Sequence, residues 1–382
     1  MIGSWVGSLR KKMRYKPKYP VFDPHVHIFG RYDDLEGLMA DCRKLYTDTE
    51  IEGYTSLCLS SNMIFAGQAA AQLLAKLLNP SKIFAYSGFA YHLDGLPFDR
   101  TGLLAQIKDI YDAGFDGLKM WEGKPLIRKE FGIALDSEIF DHAFDFMEEK
   151  GIHIIYHVAD PEIFWDPVNC PQSAIDNGWA YIDGTFQSKD ELHAEIDRML
   201  KKHPNLNVTF AHLYFMADDL DRMSEFLDRN PNTSLDICPG ARMFYYLQKD
   251  LQKSHDFFIK YQDRIMFGTD NCVNDSRKGD AVAVVANSRN SDIFRFLESS
   301  ECYSPEQWPL GPLCGIGLDD EPLRKIYKLN YKRLQGGERK TDISKAISYC
   351  ERRLKVLEKN NNLDYEAVKK QIQDVIAYMK KM

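Results

Sequence analysis

SEIFDHAFDFMEEKGIHIIYHV, residues 137–158, contains one full unit of the fold. Up to Lys150 the apolar residues recur at helical spacing. Gly151 stands where a helix of this kind ends, and the apolar run IHIIYHV then reads as a buried strand. The same order recurs on both sides. The first strand is VFDPHVHIFG (21–30), and helical stretches at 35–46, 66–80, 101–114, 188–204, 216–231 and 244–262 lead into strands at 53–61, 83–91, 115–121, 207–213, 233–240 and 264–270. With the strand at 152–158 this gives eight. Strands separated by helices predict parallel pairing, because a parallel neighbour requires a crossover. Eight such strands in about 250 residues fit a closed (β/α)8 barrel better than an open doubly wound sheet. No GxGxxG follows the first strand, so a dinucleotide crevice has no support.

The barrel is expected to span residues 21–337, after an N-terminal extension at 1–20. Residues 338–382 are charge-rich, with Ile343, Ile347, Cys350, Leu354 and Leu357 at helical spacing and NNNLD (360–364) as a break. They read as a helical hairpin packed on the barrel, the alternative being an oligomerisation arm, so a homo-oligomer is left open.

Composition narrows the class of partner. The chain has 382 residues, of which 44% are hydrophobic and 27% charged, enough for a large core. A net charge of -7, without a basic stripe, argues against nucleic acid. No apolar run is long enough to cross a membrane, and the first twenty residues do not read as a signal peptide. Eight cysteines without a CxxC pair fit reduced thiols and a cytoplasmic protein. A small-molecule substrate is the expected partner.

Barrel enzymes assemble their sites at the C-terminal strand ends, and polar residues collect there. Asp23, His25 and His27 occupy alternate positions of the first strand, so their side chains share one face. Lys119 is late in the fourth strand, His157 late in the fifth, His212 near the end of the sixth, and Asp270 ends the eighth. A divalent cation such as zinc would offset the cost of placing these groups in an apolar interior. Asp23 is either an orienting group behind a histidine or a ligand itself. His153 shares the parity of His157 but lies earlier, where it fills or buttresses the core. His92, His142, His193, His203 and His255 fall in loops or helical patterns.

Taken together, the DxHxH of the first strand, the single histidines of the fifth and sixth and the GTD of the eighth resemble the amidohydrolase superfamily. FDGLKMWEGKP and IIYHVADP are similar to its amidohydrolase-related branch, which also contains aminocarboxymuconate-semialdehyde decarboxylase and lactone hydrolases. The resemblance covers residues 20–335 and leaves the C-terminal hairpin outside. It implies that His25, His27, His157 and Asp270 bind one divalent metal, zinc ahead of manganese, with a second metal left open. It also implies that His212 contacts the metal or the reacting group. Lys119 either bridges two metals as a carboxylated lysine or contacts an anionic substrate with Glu122 holding it.

The expected activity is hydrolysis of a small carboxylate-bearing or lactone substrate by a metal-activated water, with Asp270 as base and then acid and His212 or Lys119 stabilising charge on the substrate oxygen. Arg242, just past the seventh strand, either pairs with a substrate carboxylate or is an ordinary surface residue. The aromatic insert at 159–187 is expected to form a wall or lid. The alternative activity is non-oxidative decarboxylation of a small unsaturated or aromatic acid. A non-catalytic, metal-stabilised binding protein is the third reading.

Overall fold

The computed structural model describes residues 14–29, 33–59, 64–91, 98–240, 242–308, 310–359 and 365–382. His92 and the NNNLD break lie outside them. The strands of the main sheet are β1 (Val21–Ile28), β2 (Ile51–Leu57), β3 (Ile83–Ser87), β4 (Gly117–Gly123), β5 (His153–Val158), β6 (Asn207–Phe210), β7 (Thr233–Asp236), β8 (Ile265–Met266) and β9 (Asn271–Val273). Every pairing in this sheet is parallel, in the order β8-β7-β6-β5-β4-β3-β2-β1-β9. The two outer strands of that order are consecutive in the chain. Only FGTD (267–270) separates them, so β8 on β7 and β9 on β1 are two halves of one barrel strand that joins the ends of the sheet. The fold is the expected (β/α)8 barrel.

Several elements end earlier than their sequence suggests. The eighth strand breaks because Asp270 adopts φ 57°, a left-handed conformation no strand can hold. The sixth stops at Phe210, and His212, Leu213, Tyr214 and Phe215 follow with φ between 50° and 60°. The single helix expected over 244–262 is two, Met243–Leu247 and Leu251–Lys260, because Asp250 is extended (φ -141°) and caps the second through the Lys253 N–H.

All eight residues of β1 are buried, which is why its sequence reads as a continuous apolar run despite three polar side chains. Below the level of those groups, Phe22, Tyr86, Ile155, Met266 and Tyr331 fill the barrel interior. Phe22 stacks on Tyr331 with ring centroids 5.1 Å apart. His153 is in this layer, with Nδ1 2.8 Å from the Tyr86 hydroxyl and Nε2 2.8 Å from Thr209 Oγ1.

The helices Ile343–Glu358 and Glu366–Met379 pack against the barrel helix Ile64–Leu78. Gly67 allows the approach, since a Cβ there would come within 2.9 Å of Gln371 Oε1. The chain leading into these helices is anchored by Lys76, whose ammonium donates to the Gly114 carbonyl, the Asp116 carboxylate and the Arg339 carbonyl at 2.7 Å each. At the other end, the Tyr15 and Lys18 N–H groups donate to Ser291 and Glu298 of the helix Asp280–Glu298.

One expectation about cysteine fails. Cys302 and Cys314 form a disulfide across the antiparallel strands Cys302–Tyr303 and Leu313–Cys314, while the other six cysteines form none. The two residues are twelve apart in a chain with no regular cysteine framework, and only the strand pairing brings them opposite each other. Among the described residues, no helix is long and apolar enough to cross a membrane.

Burial pulls the His153 imidazole down to about 3. Its folded-state value is below that of the unfolded chain, so its contribution to stability is complete above about pH 6.5 and is lost as pH falls towards 3, at about 1.4 kcal/mol per pH unit. Urea unfolding across this range should show a shallower pH slope for His153→Gln than for the wild type. Parallel curves would remove this assignment.

Candidate metal centre

At the C-terminal ends of the strands the histidines converge. The ring centroids of His25 and His27 are 5.3 Å apart, those of His25 and His212 are 5.2 Å apart, and those of His157 and His212 are 5.0 Å apart. A register irregularity of β1 between Asp23 and Val26 lies at this point, and bulges of this kind re-aim side chains. Donor atoms of His25, His27 and Asp270 all lie within 4.8 Å of one another, and so do those of His25, His212 and Cys238. Among the described residues these two overlapping sets, sharing His25, are the groups at the barrel mouth able to grip one ion, with every member buried except the partly exposed Asp270.

Each histidine in the sets has one nitrogen committed to the protein. His25 Nδ1 is 2.8 Å from Asp236 Oδ2, His27 Nδ1 is 2.8 Å from the Leu57 carbonyl, and His212 Nδ1 is 3.0 Å from the Cys238 carbonyl. Acceptors at Nδ1 fix the proton there and leave Nε2 as the lone-pair nitrogen, the arrangement that metal-binding histidines use. Burial lowers the pKa of His25, and it takes His212 down to about 3, so both imidazoles are neutral near pH 7. Asp270 is reached by His27 Nε2 at 3.3 Å.

The remaining expected residues are placed less uniformly. His157 belongs to neither set. Its Nε2 is buried without a hydrogen-bond partner, and the nearby Asp160 Oδ1, at 3.4 Å, is not aligned to accept. Lys119 is 1% exposed, and its ammonium has no partner either. Burial lowers its pKa, while Asp236, Cys238 and Asp270 oppose that effect. Glu122 makes no hydrogen bond to it, though its charge acts on the ammonium. The Glu122 carboxylate accepts from the Tyr91 hydroxyl and from the Trp121 N–H. Asp23 accepts from the His25 N–H and the Thr269 hydroxyl, so it braces the backbone of the first and last strands and orients no imidazole. Arg242 lies in the turn after β7 with φ 62°, immediately before the helix that carries Tyr246.

The insert forms part of the wall. Its aromatic residues Phe164, Trp165, Trp179, Tyr181 and Phe186 cluster together. Asp160, two residues past β5, accepts from Lys124 at 2.6 Å and from Tyr181 at 2.5 Å, and Lys124 also lies over the Trp179 ring. Pro161 and Glu162 of the insert line a narrow cleft with His212, Phe215, Met243 and Tyr246.

Sequence reading missed Asp236 and Cys238. Both are fully buried at the end of β7, in DICPG. Besides His25, Asp236 accepts from the backbone N–H groups of His212 and Cys238. Their signal was available, because an aspartate ending a barrel strand holds the same position as Asp270. The expected strand, however, ran on to Gly240 and hid where it stops.

A sequence model described as amidohydrolase matches residues 23–334. No curated protein matches. Among solved structures, an uncharacterised TIM-barrel protein from Bordetella bronchiseptica is similar at 15% identity and a TM-score of 0.52, over 83% of this chain and 99% of that one. A 2,6-dihydroxybenzoate decarboxylase from Rhizobium is similar at 16% identity and a TM-score of 0.45, over 85% and 99%.

Asp236→Asn tests the orienting role. The amide can keep the backbone bonds through its oxygen, but its NH2 then faces His25 Nδ1 and forces the ring proton onto Nε2. Zinc affinity measured by competition with a chelator should fall by about 10- to 100-fold with the fold intact. Unchanged affinity would show that His25 is not a ligand.

Proposed function

This chain belongs to the amidohydrolase family, and from that premise we propose that it is a metal-dependent hydrolase acting on a small carboxylate-bearing or lactone substrate. The observation that carries the metal reading is the shared pattern of His25, His27 and His212, each with Nδ1 engaged and Nε2 left over. The buried His157 Nε2, whose one polar contact is the 3.4 Å approach to Asp160 Oδ1, fits the same centre. We assign His25, His27, His157 and Asp270 as the residues that hold one divalent ion, zinc ahead of manganese.

Such an ion, when bound, supplies a water of lowered pKa and polarises a carbonyl oxygen. Asp270 accepts the proton released as water attacks the substrate carbonyl and then delivers it to the leaving group. The Lys119 ammonium stabilises negative charge developing on the carbonyl oxygen, while His212, whose Nδ1 proton is given to the Cys238 carbonyl, offers its Nε2 lone pair to the ion or to a proton instead. Arg242 pairs with the substrate's carboxylate, and the aromatic insert covers its less polar part. The same groups suit a second reading, decarboxylation, in which water, or His212 once its Nε2 has taken up a proton, protonates the substrate carbon. The unpartnered Lys119 beside the acids of the site favours an anionic substrate in either case. A cytoplasmic location rests on the six cysteines outside disulfides, and the disulfide argues against it.

Elemental analysis should find about one zinc per chain, and turnover against a panel of lactones, amides and unsaturated carboxylic acids separates hydrolase from lyase and from binder. Asp270→Asn should lower turnover by about 10²- to 10⁴-fold. Near-normal turnover would move the base role to His212. Arg242→Ala should raise the KM for an acid far more than for its neutral ester. Equal effects on both would return Arg242 to the surface.

A further inference from the structure

We propose that Cys238 supplies a sulfur ligand to the ion at the barrel mouth, making the centre a mixed imidazole, carboxylate and thiolate site. The inference rests on the reading that the mouth holds a metal. It goes further by adding a donor from β7 that the strand-end histidines do not require.

The thiol is fully buried, and its Sγ lies within 4.8 Å of the donor nitrogens of His25 and His212. It makes no hydrogen bond among the described residues. The backbone of Cys238 is pinned by the groups that pin the histidines, its N–H donating to Asp236 at 3.1 Å and its carbonyl facing His212 Nδ1 at 3.0 Å. Gly268 keeps the neighbouring space open, since a Cβ at that position would meet the Cys238 Cβ at 3.1 Å and the His25 Cβ at 3.3 Å. Burial pushes the Cys238 thiol pKa up, Asp270, Asp236 and Asp23 add to the rise and the buried Lys119 ammonium opposes it, so the thiol gives up its proton to the incoming ion and not beforehand. A thiolate donor makes the centre softer and favours zinc or cobalt over magnesium or manganese.

Cobalt(II) added to the metal-stripped protein reports each part separately. Visible d–d absorption shows that the ion is held by the protein, and a near-ultraviolet sulfur-to-cobalt charge-transfer band shows a thiolate ligand. The wild type should show both. Cys238→Ser and Cys238→Ala should keep the visible absorption and lose the charge-transfer band, with zinc affinity lowered by at least the roughly 10- to 100-fold that follows loss of an orienting partner. Cys272→Ser is the control and should keep both bands, because that thiol instead accepts from Asn274 and Arg277. Visible absorption without the charge-transfer band in the wild type would overturn the inference and leave the metal reading standing, as would a band that survives in both Cys238 variants. Absence of any cobalt absorption in the wild type would overturn both.

Discussion

The Asp236 carboxylate is the constraint on which the rest of the site depends. It is fully buried at the end of β7, where an uncompensated charge would be costly. Three donors reach it: His25 from the first strand, the His212 N–H past the sixth, and the Cys238 N–H two residues on. Burial pushes its pKa up, and the His212 and Cys238 N–H groups and the Lys119 ammonium oppose that effect. Through one side chain, ring orientation on β1 and backbone position after β6 and β7 are made mutually dependent. The histidines therefore hold their geometry through the protein's own bonds.

The local backbone has to bend to allow this. Ala159, His212 to Phe215, Arg242 and Asp270 all take positive φ, and all lie just beyond the ends of β5, β6, β7 and β8. Left-handed conformations cost non-glycine residues about 1–2 kcal/mol each. Such residues persist where surrounding bonds over-determine them, as the Asp236 contacts and the Arg289 bonds to the Thr269 and Asp270 carbonyls do here. The rigid barrel below carries this strain. Its aromatic layer of Phe22, Tyr86 and Tyr331 is packed from two strands and the helix Asn330–Gln335, far apart in the chain.

This division explains what the sequence revealed. Alternation of helix and strand is a local property, repeated many times, so the barrel was legible from units such as 137–158. The HxH of β1 and Asp270 were legible because strand parity and strand ends are also local. The roles of Asp23 and Glu122 were not, because each is decided by which N–H or hydroxyl arrives from another strand. Cys238 was hidden for a related reason. Reading TSLDICPG as one strand gives no sign that the chain leaves the sheet at Asp236 and turns the thiol among the histidines. The Cys302–Cys314 bond depends on an antiparallel contact that no spacing rule encodes.

The divided eighth strand also sets an order of events during synthesis. β1 finds its β9 partner only through pairs such as Val26 with Asn271, and the His25 carbonyl receives the Asp270 N–H in the same region. A ribosome making the chain from its N-terminus exposes His25 and His27 long before residue 270 emerges, and domains of this size generally complete as units. Until then the two imidazoles belong to an open sheet edge without their carboxylate. On the proposed assignment, a nascent chain offers an ion two stray nitrogens but no finished centre, and correct loading has to wait until the ring has closed.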